Sequence, residues 1–170
     1  ALRLKPTEED RQKILETPIG NPAAYELYLK ANAAVWSFRE NTLDLVVRDL
    51  QKALDITGPN ALLYSALSGV YQQYVNIGVK QEDYLAIGED YAQKALAIDP
   101  KLAMAHARLG QLYVYKNPQA AMREFRAALA LNPNELYALS GLAFTLFDCG
   151  KTAEALPLLE RHRKIDPLNP

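Results

Sequence analysis

Cysteine occurs once in these 170 residues and histidine twice, and no apolar run comes near the length of a membrane span. A bilayer crossing takes about 18 or more consecutive apolar residues, and the segment from Ala1 to Pro6 lacks the apolar core of a secretory signal. The lone Cys149 excludes an internal disulfide framework and a multi-cysteine metal site. Glycine-rich phosphate loops and zinc-ligand spacings are also missing. The chain opens without methionine, as a mature or excised segment would. The compartment stays open on these grounds, with the cytoplasm favoured.

Excess charge of either sign is scarce. The net charge is −1, which offers no general attraction to phosphate backbones or anionic lipid. Residues 101–170 carry nine Lys/Arg against six Asp/Glu, leaving the first hundred acidic, and neither part has the dense cationic stripe of a nucleic-acid binder. No stretch alternates apolar and polar residues over strand length, so the chain reads as all-α.

What the sequence does have is a period. The string Ala95-Leu96-Ala97-Ile98-Asp99-Pro100 returns after 33 residues as Ala128-Leu129-Ala130-Leu131-Asn132-Pro133, and after a further 34 as His162-Arg163-Lys164-Ile165-Asp166-Pro167. A period of that size marks stacked units, none of which can bury its apolar face alone. Upstream, Gln51 to Ile56 matches Gln93 to Ile98 at a spacing of 42, so about eight extra residues lie inside that unit, near Val75 to Asp83.

Each unit reads as helix, turn, helix, then Asp/Asn-Pro as a stop. A lead-in segment over residues 1–20 has Thr7 as cap with Glu8, Glu9 and Asp10 in the first turn of a short helix. Pro18, Gly20 and the Asn21-Pro22 cap separate it from a repeat domain over residues 21–170, with units at about 23–59, 60–100, 101–133 and 134–167.

The register of apolar and small residues resembles the tetratricopeptide repeat, a 34-residue helix hairpin. The fourth unit matches through Leu139, Leu142, Ala143, Leu146, Ala155, Leu159, Ile165 and Pro167, with His162 where alanine is usual. The third matches through Leu109, Gly110, Tyr113, Ala121, Phe125, Ala128 and Pro133, with His106 in the usual Trp position. The second matches through Tyr64, Leu67, Ser68, Tyr71, Gly88, Ala92, Ala95 and Pro100; the first is recognisable in Val46, Leu50 and Ala53. The resemblance implies a right-handed α-solenoid of four hairpins whose helices cross closely at small residues, Gly110 with Ala121 and Ala143 with Ala155. More narrowly, Leu2 to Glu9 and Asn21 to Leu29 resemble the start of such arrays at the C-terminal end of bacterial multidomain signalling proteins, namely kinases, adenylate cyclases and transcription regulators.

The resemblance further implies protein or peptide binding on a concave face lined by the first helix of each unit. Set positions place Met104, Ala107, Arg108, Gln111, Val114 and Tyr115 there in the third unit, and Tyr137, Ser140, Gly141, Phe144, Phe147 and Asp148 in the fourth. Of these, Met104, Arg108, Gln111, Tyr115, Tyr137, Ser140, Phe144 and Phe147 are the candidate binding residues. An aromatic groove with Arg108 nearby suits a peptide with apolar anchors; the alternative reading is that the aromatics pack against a neighbouring helix. The family's carboxylate-clamping arrays are a poorer fit, because Met104 and Ala66 replace the lysine and asparagine expected there.

Catalytic candidates are weak. His106 and His162 fall on repeat core positions, and neither sits at ligand spacing from a second histidine or a carboxylate pair. Cys149 sits in a hairpin turn beside Asp148, whose charge disfavours the thiolate. The expectation is therefore a non-enzyme with no cofactor, catalytic residue or metal. Its partner is a protein or peptide rather than nucleic acid or membrane, and Leu156, Leu159 and Ile165 on the uncapped C-terminal helix suggest self-association. Helical-repeat RNA binding and small-molecule sensing in the groove are the rival functions.

Overall fold

Asparagine sets where these helices begin. In the computed structural model, which describes residues 18–37, 39–79 and 81–167, the Asn21 side chain accepts from the backbone N–H groups of Ala23 and Ala24 and opens α1 (Pro22–Ala34). Asn60 does the same for Leu62 and Leu63 at α3 (Ala61–Asn76), and Asn117 for Ala120 at α6 (Pro118–Leu131). Each cap satisfies donors that the first helical turn leaves unpaired. Pro22 and Pro118 stand at first helical positions, where a missing N–H costs nothing.

The remaining helices are α2 (Glu40–Thr57), α4 (Gln81–Ile98), α5 (Ala103–Tyr113), α7 (Leu136–Asp148) and α8 (Thr152–Ile165), with one 3₁₀ turn at Val35–Ser37. The Asp/Asn-Pro stops behave as the period predicts. Asp99 and Asn132 follow α4 and α6, and their side chains accept from the backbone N–H groups of Lys101 and Asn134 to turn the chain toward the next helix. Gly58 and Gly150 end α2 and α7 at φ of 74°, a left-handed conformation in which a Cβ is strained. The lead-in helix expected over residues 7–16 lies outside the described residues. Among those described, no helix is long and apolar enough to cross a membrane.

Helices pair as α1/α2, α3/α4, α5/α6 and α7/α8, and each hairpin packs on the next. The first helices α1, α3, α5 and α7 also touch in succession and form one layer, while α2, α4, α6 and α8 form the other. The chain is thus an all-helical α-solenoid of hairpins. The inserted residues of the second unit do not form a long loop: α4 runs for 18 residues against 14 in α6 and α8.

Phe125 of α6 is fully buried and joins the last two hairpins. Its ring lies against Gly110 on α5, where an added Cβ would come within 2.7 Å, and against Gly141 on α7, where it would overlap the ring outright. This revises the expected crossing: Ala121, Ala143 and Ala155 are indeed buried, but the group that occupies the space left by Gly110 is the Phe125 ring. Of the apolar edge anticipated at the C-terminus, Leu156 and Ile165 are exposed, whereas Leu159 is half-buried against the core of the last two hairpins. Leu156 is 54% accessible, whereas Met122, one repeat earlier and covered by the next hairpin, is 7% accessible.

Phe125→Ala should lower the unfolding free energy by about 3–5 kcal/mol, the usual cost of an emptied aromatic site. Gly141→Ala should lower it by about 1–3 kcal/mol through overpacking. Urea denaturation followed by far-UV circular dichroism measures both, and a wild-type midpoint for either variant would contradict this packing.

Candidate partner-binding face

Residues three or four positions apart along α5 and α7 share one side of each helix, here the side toward the surface that these helices share with α3. Two adjoining cavities lie there, both bordered by Gln111 and Ser140. The smaller, about 240 Å³, is floored by Phe125 and walled by Gln72, Val114, Phe144 and Asp148. The larger, about 460 Å³, lies toward the α6–α7 turn and is bordered by Trp36, Glu135, Tyr137 and His162.

Phe144, on the wall of the smaller cavity, is 61% accessible, and Phe147, which borders neither cavity, is 59% accessible, on a helix whose other side is buried through Ala138, Leu139, Leu142 and Leu146. Tyr115 is exposed as well, and its hydroxyl donates to Asn76 Oδ1 at 2.6 Å, tying the end of α5 to the end of α3. The Ser140 hydroxyl donates to the carbonyl of Leu136 at 3.0 Å. Met104 is half-buried and borders neither cavity.

Arg108 is only 6% accessible and borders neither cavity. Its guanidinium carbon is 4.0 Å from the centre of the Tyr137 ring, and Nη1 donates to Gln111 Oε1 at 3.1 Å. It fills the space that Gly69 leaves on α3, where an added Cβ would lie 2.7 Å from the guanidinium carbon. Its Nε has no hydrogen-bond partner among the described residues. Burial pushes the Glu135 carboxyl above its ordinary value, opposed by Arg108 and by the Tyr137 N–H.

Trp36 is the residue that the sequence reading left out of the site. It follows α1, yet its indole stacks on Tyr137 of α7, with ring centres 6.0 Å apart and planes inclined by 17°. The first and last hairpins therefore meet across the face. Gln72 holds in the second unit the repeat position that Val114 holds in the third, and both border the smaller cavity. His106 has a role that spacing alone did not reveal, since Nδ1 lies 2.8 Å from Glu124 Oε2 and Nε2 lies 3.2 Å from the Pro100 carbonyl. Both ring nitrogens are engaged in holding α5 to its neighbours. His162 borders the larger cavity, and Cys149 is exposed in its turn.

Trp36 is the chain's sole tryptophan, so its emission reports this contact alone. Tyr137→Ala should move the emission maximum to longer wavelength and increase acrylamide quenching while helix content is retained. An unchanged spectrum would contradict the stacking.

Residues 115–170 match the family model described as tetratricopeptide repeat. No curated protein sequence matches the chain. Solved structures share its fold at low identity. A thermophilic TPR protein of Thermus thermophilus superposes with a TM-score of 0.72 at 19% identity, over 95% of this chain and 80% of that one. The first TPR domain of human RPAP3 gives 0.60 at 18%, over 82% and 99%. A crystal structure of MamA gives 0.53 at 22%, over 75% and 71%. The C-terminal third of the chain thus matches the tetratricopeptide repeat model, and its α-solenoid fold is shared with solved structures over nearly the whole length.

Proposed function

We propose that the chain is a non-catalytic protein-interaction module that holds a peptide segment of its partner against α5 and α7. The observation that carries this reading is the exposure of Phe144 on the wall of a cavity with an apolar floor and a polar rim, with Phe147 exposed three residues further along the same helix. Exposed aromatics bordering a pocket are the usual anchors of peptide recognition, and a few such residues hold most of the binding energy. Gln72, Gln111 and Ser140 supply hydrogen-bonding groups at the rim, and Asp148 offers a carboxylate that favours an amine or guanidinium on the partner. In this reading Tyr115 and Tyr137 flank the peptide, Met104 sits at its margin, and Arg108 keeps Tyr137 and Gln111 in position from beneath. The resemblance of the N-terminal stretch supports the further reading that the module serves a larger bacterial regulatory protein.

Peptides selected from a display library against the wild-type chain should share apolar anchors. They should bind a Phe144→Ala/Phe147→Ala variant about thirtyfold more weakly, the roughly 2 kcal/mol of a hot spot. Equal affinity for both proteins would place recognition elsewhere, and selective capture of RNA would overturn the reading.

A further inference from the structure

The insertion in the second unit builds something that the third and fourth units lack. Ala95, Ala128 and His162 share one repeat position; counted back from them, Tyr84 stands where Asn117 and Lys151 precede their helices. The longer α4 thus presents Tyr84 at a height where α6 and α8 have not yet begun. There it meets Tyr74 at a ring-centre distance of 4.6 Å and Tyr71 at 5.4 Å. Tyr91 stacks on Tyr71 at 5.6 Å and extends the aromatic wall.

The three tyrosines Tyr71, Tyr74 and Tyr84 border a cavity of about 380 Å³ whose other wall is α2, through Asp44, Val47 and Arg48. This cavity is separate from the α5–α7 face. Tyr71 and Tyr74 leave α3 on the side turned away from Gln72, at 100° per residue. Asp44 and Arg48 are four residues apart on one helical face, the spacing of a common surface ion pair, yet neither makes an ion pair among the described residues. Asp44 Oδ1 instead accepts from the Tyr74 hydroxyl, and Arg48 is exposed. Burial, reinforced by the Asp44 carboxylate, holds the Tyr74 phenol well above its ordinary value, so the hydroxyl stays a donor.

We propose that this cavity between α2, α3 and α4 is a second binding site, and that it takes a small zwitterion of the α-amino acid class. A ligand carrying only positive charge meets Arg48, and one carrying only negative charge meets Asp44. An apolar ligand would strip water from both without replacing it. An α-amino acid satisfies each element: its ammonium faces the Asp44 carboxylate and the tyrosine rings, and its carboxylate faces the fork of Arg48. A flat apolar side chain rests on Tyr71 and Tyr84.

The test is a chemical-shift titration of the whole chain with L-phenylalanine, phenethylamine and 3-phenylpropanoate. L-phenylalanine should shift resonances of α2, Tyr71 and Tyr84. Each analogue, lacking one charge, should bind about tenfold more weakly, as expected for one lost charge-assisted hydrogen bond. Asp44→Asn keeps the acceptor for Tyr74, and Arg48→Gln lies on an exposed helix surface; each should weaken L-phenylalanine by about tenfold at an unchanged melting temperature. Absence of binding, equal binding of the three probes, or wild-type affinity in both variants would overturn the proposal.

Discussion

The Phe125 ring, pressed against Gly110 on one hairpin and Gly141 on the next, is the contact on which the C-terminal part of the solenoid depends. A hairpin of two helices cannot bury its apolar stripe alone, so stability arises where neighbours meet. Two glycines let α5 and α7 close over one aromatic side chain, and the same ring floors the smaller cavity. Structural packing and the candidate face are thus two sides of one residue. A partner lying on Gln111, Ser140 and Phe144 would rest on a surface that α6 holds from behind.

The centre of the face is a different kind of support. Arg108 gains from the Tyr137 ring roughly 0.5–2 kcal/mol and donates to Gln111, but burying its unpaired Nε costs about 1–3 kcal/mol. These terms nearly cancel. Arg108 therefore fixes the positions of Tyr137 and Gln111 more than it adds to stability. Trp36 then lies on Tyr137, so the first hairpin helps set the shape of a surface built from the third and fourth.

Local chemistry and the period made most of the architecture legible in the sequence. Asn21, Asn60 and Asn117 mark helix starts, and Asp99 and Asn132 mark stops. What the sequence hid are contacts made between units. The meeting of Trp36 with Tyr137 depends on how far the stack curls over a hundred residues of chain, which no local spacing encodes. The burial of Arg108 required knowing that Gly69 faces it. The pairing of His106 with Glu124 joins two helices of one hairpin but depends on their rotation. The insertion was visible as eight extra residues, but its effect, the placing of Tyr84 over Tyr71 and Tyr74, follows from α4 continuing as helix rather than loop.

If stability resides in the contacts between hairpins, it should be graded along the chain. Helices α3 and α5 are covered on both sides, whereas α8 has Leu156 and Ile165 exposed on its outer face. Native-state hydrogen exchange resolved by residue tests this most directly. The account predicts the slowest exchange in α3 and α5 and the fastest, among the described helices, in α8; protection of α8 equal to that of α5 would contradict it.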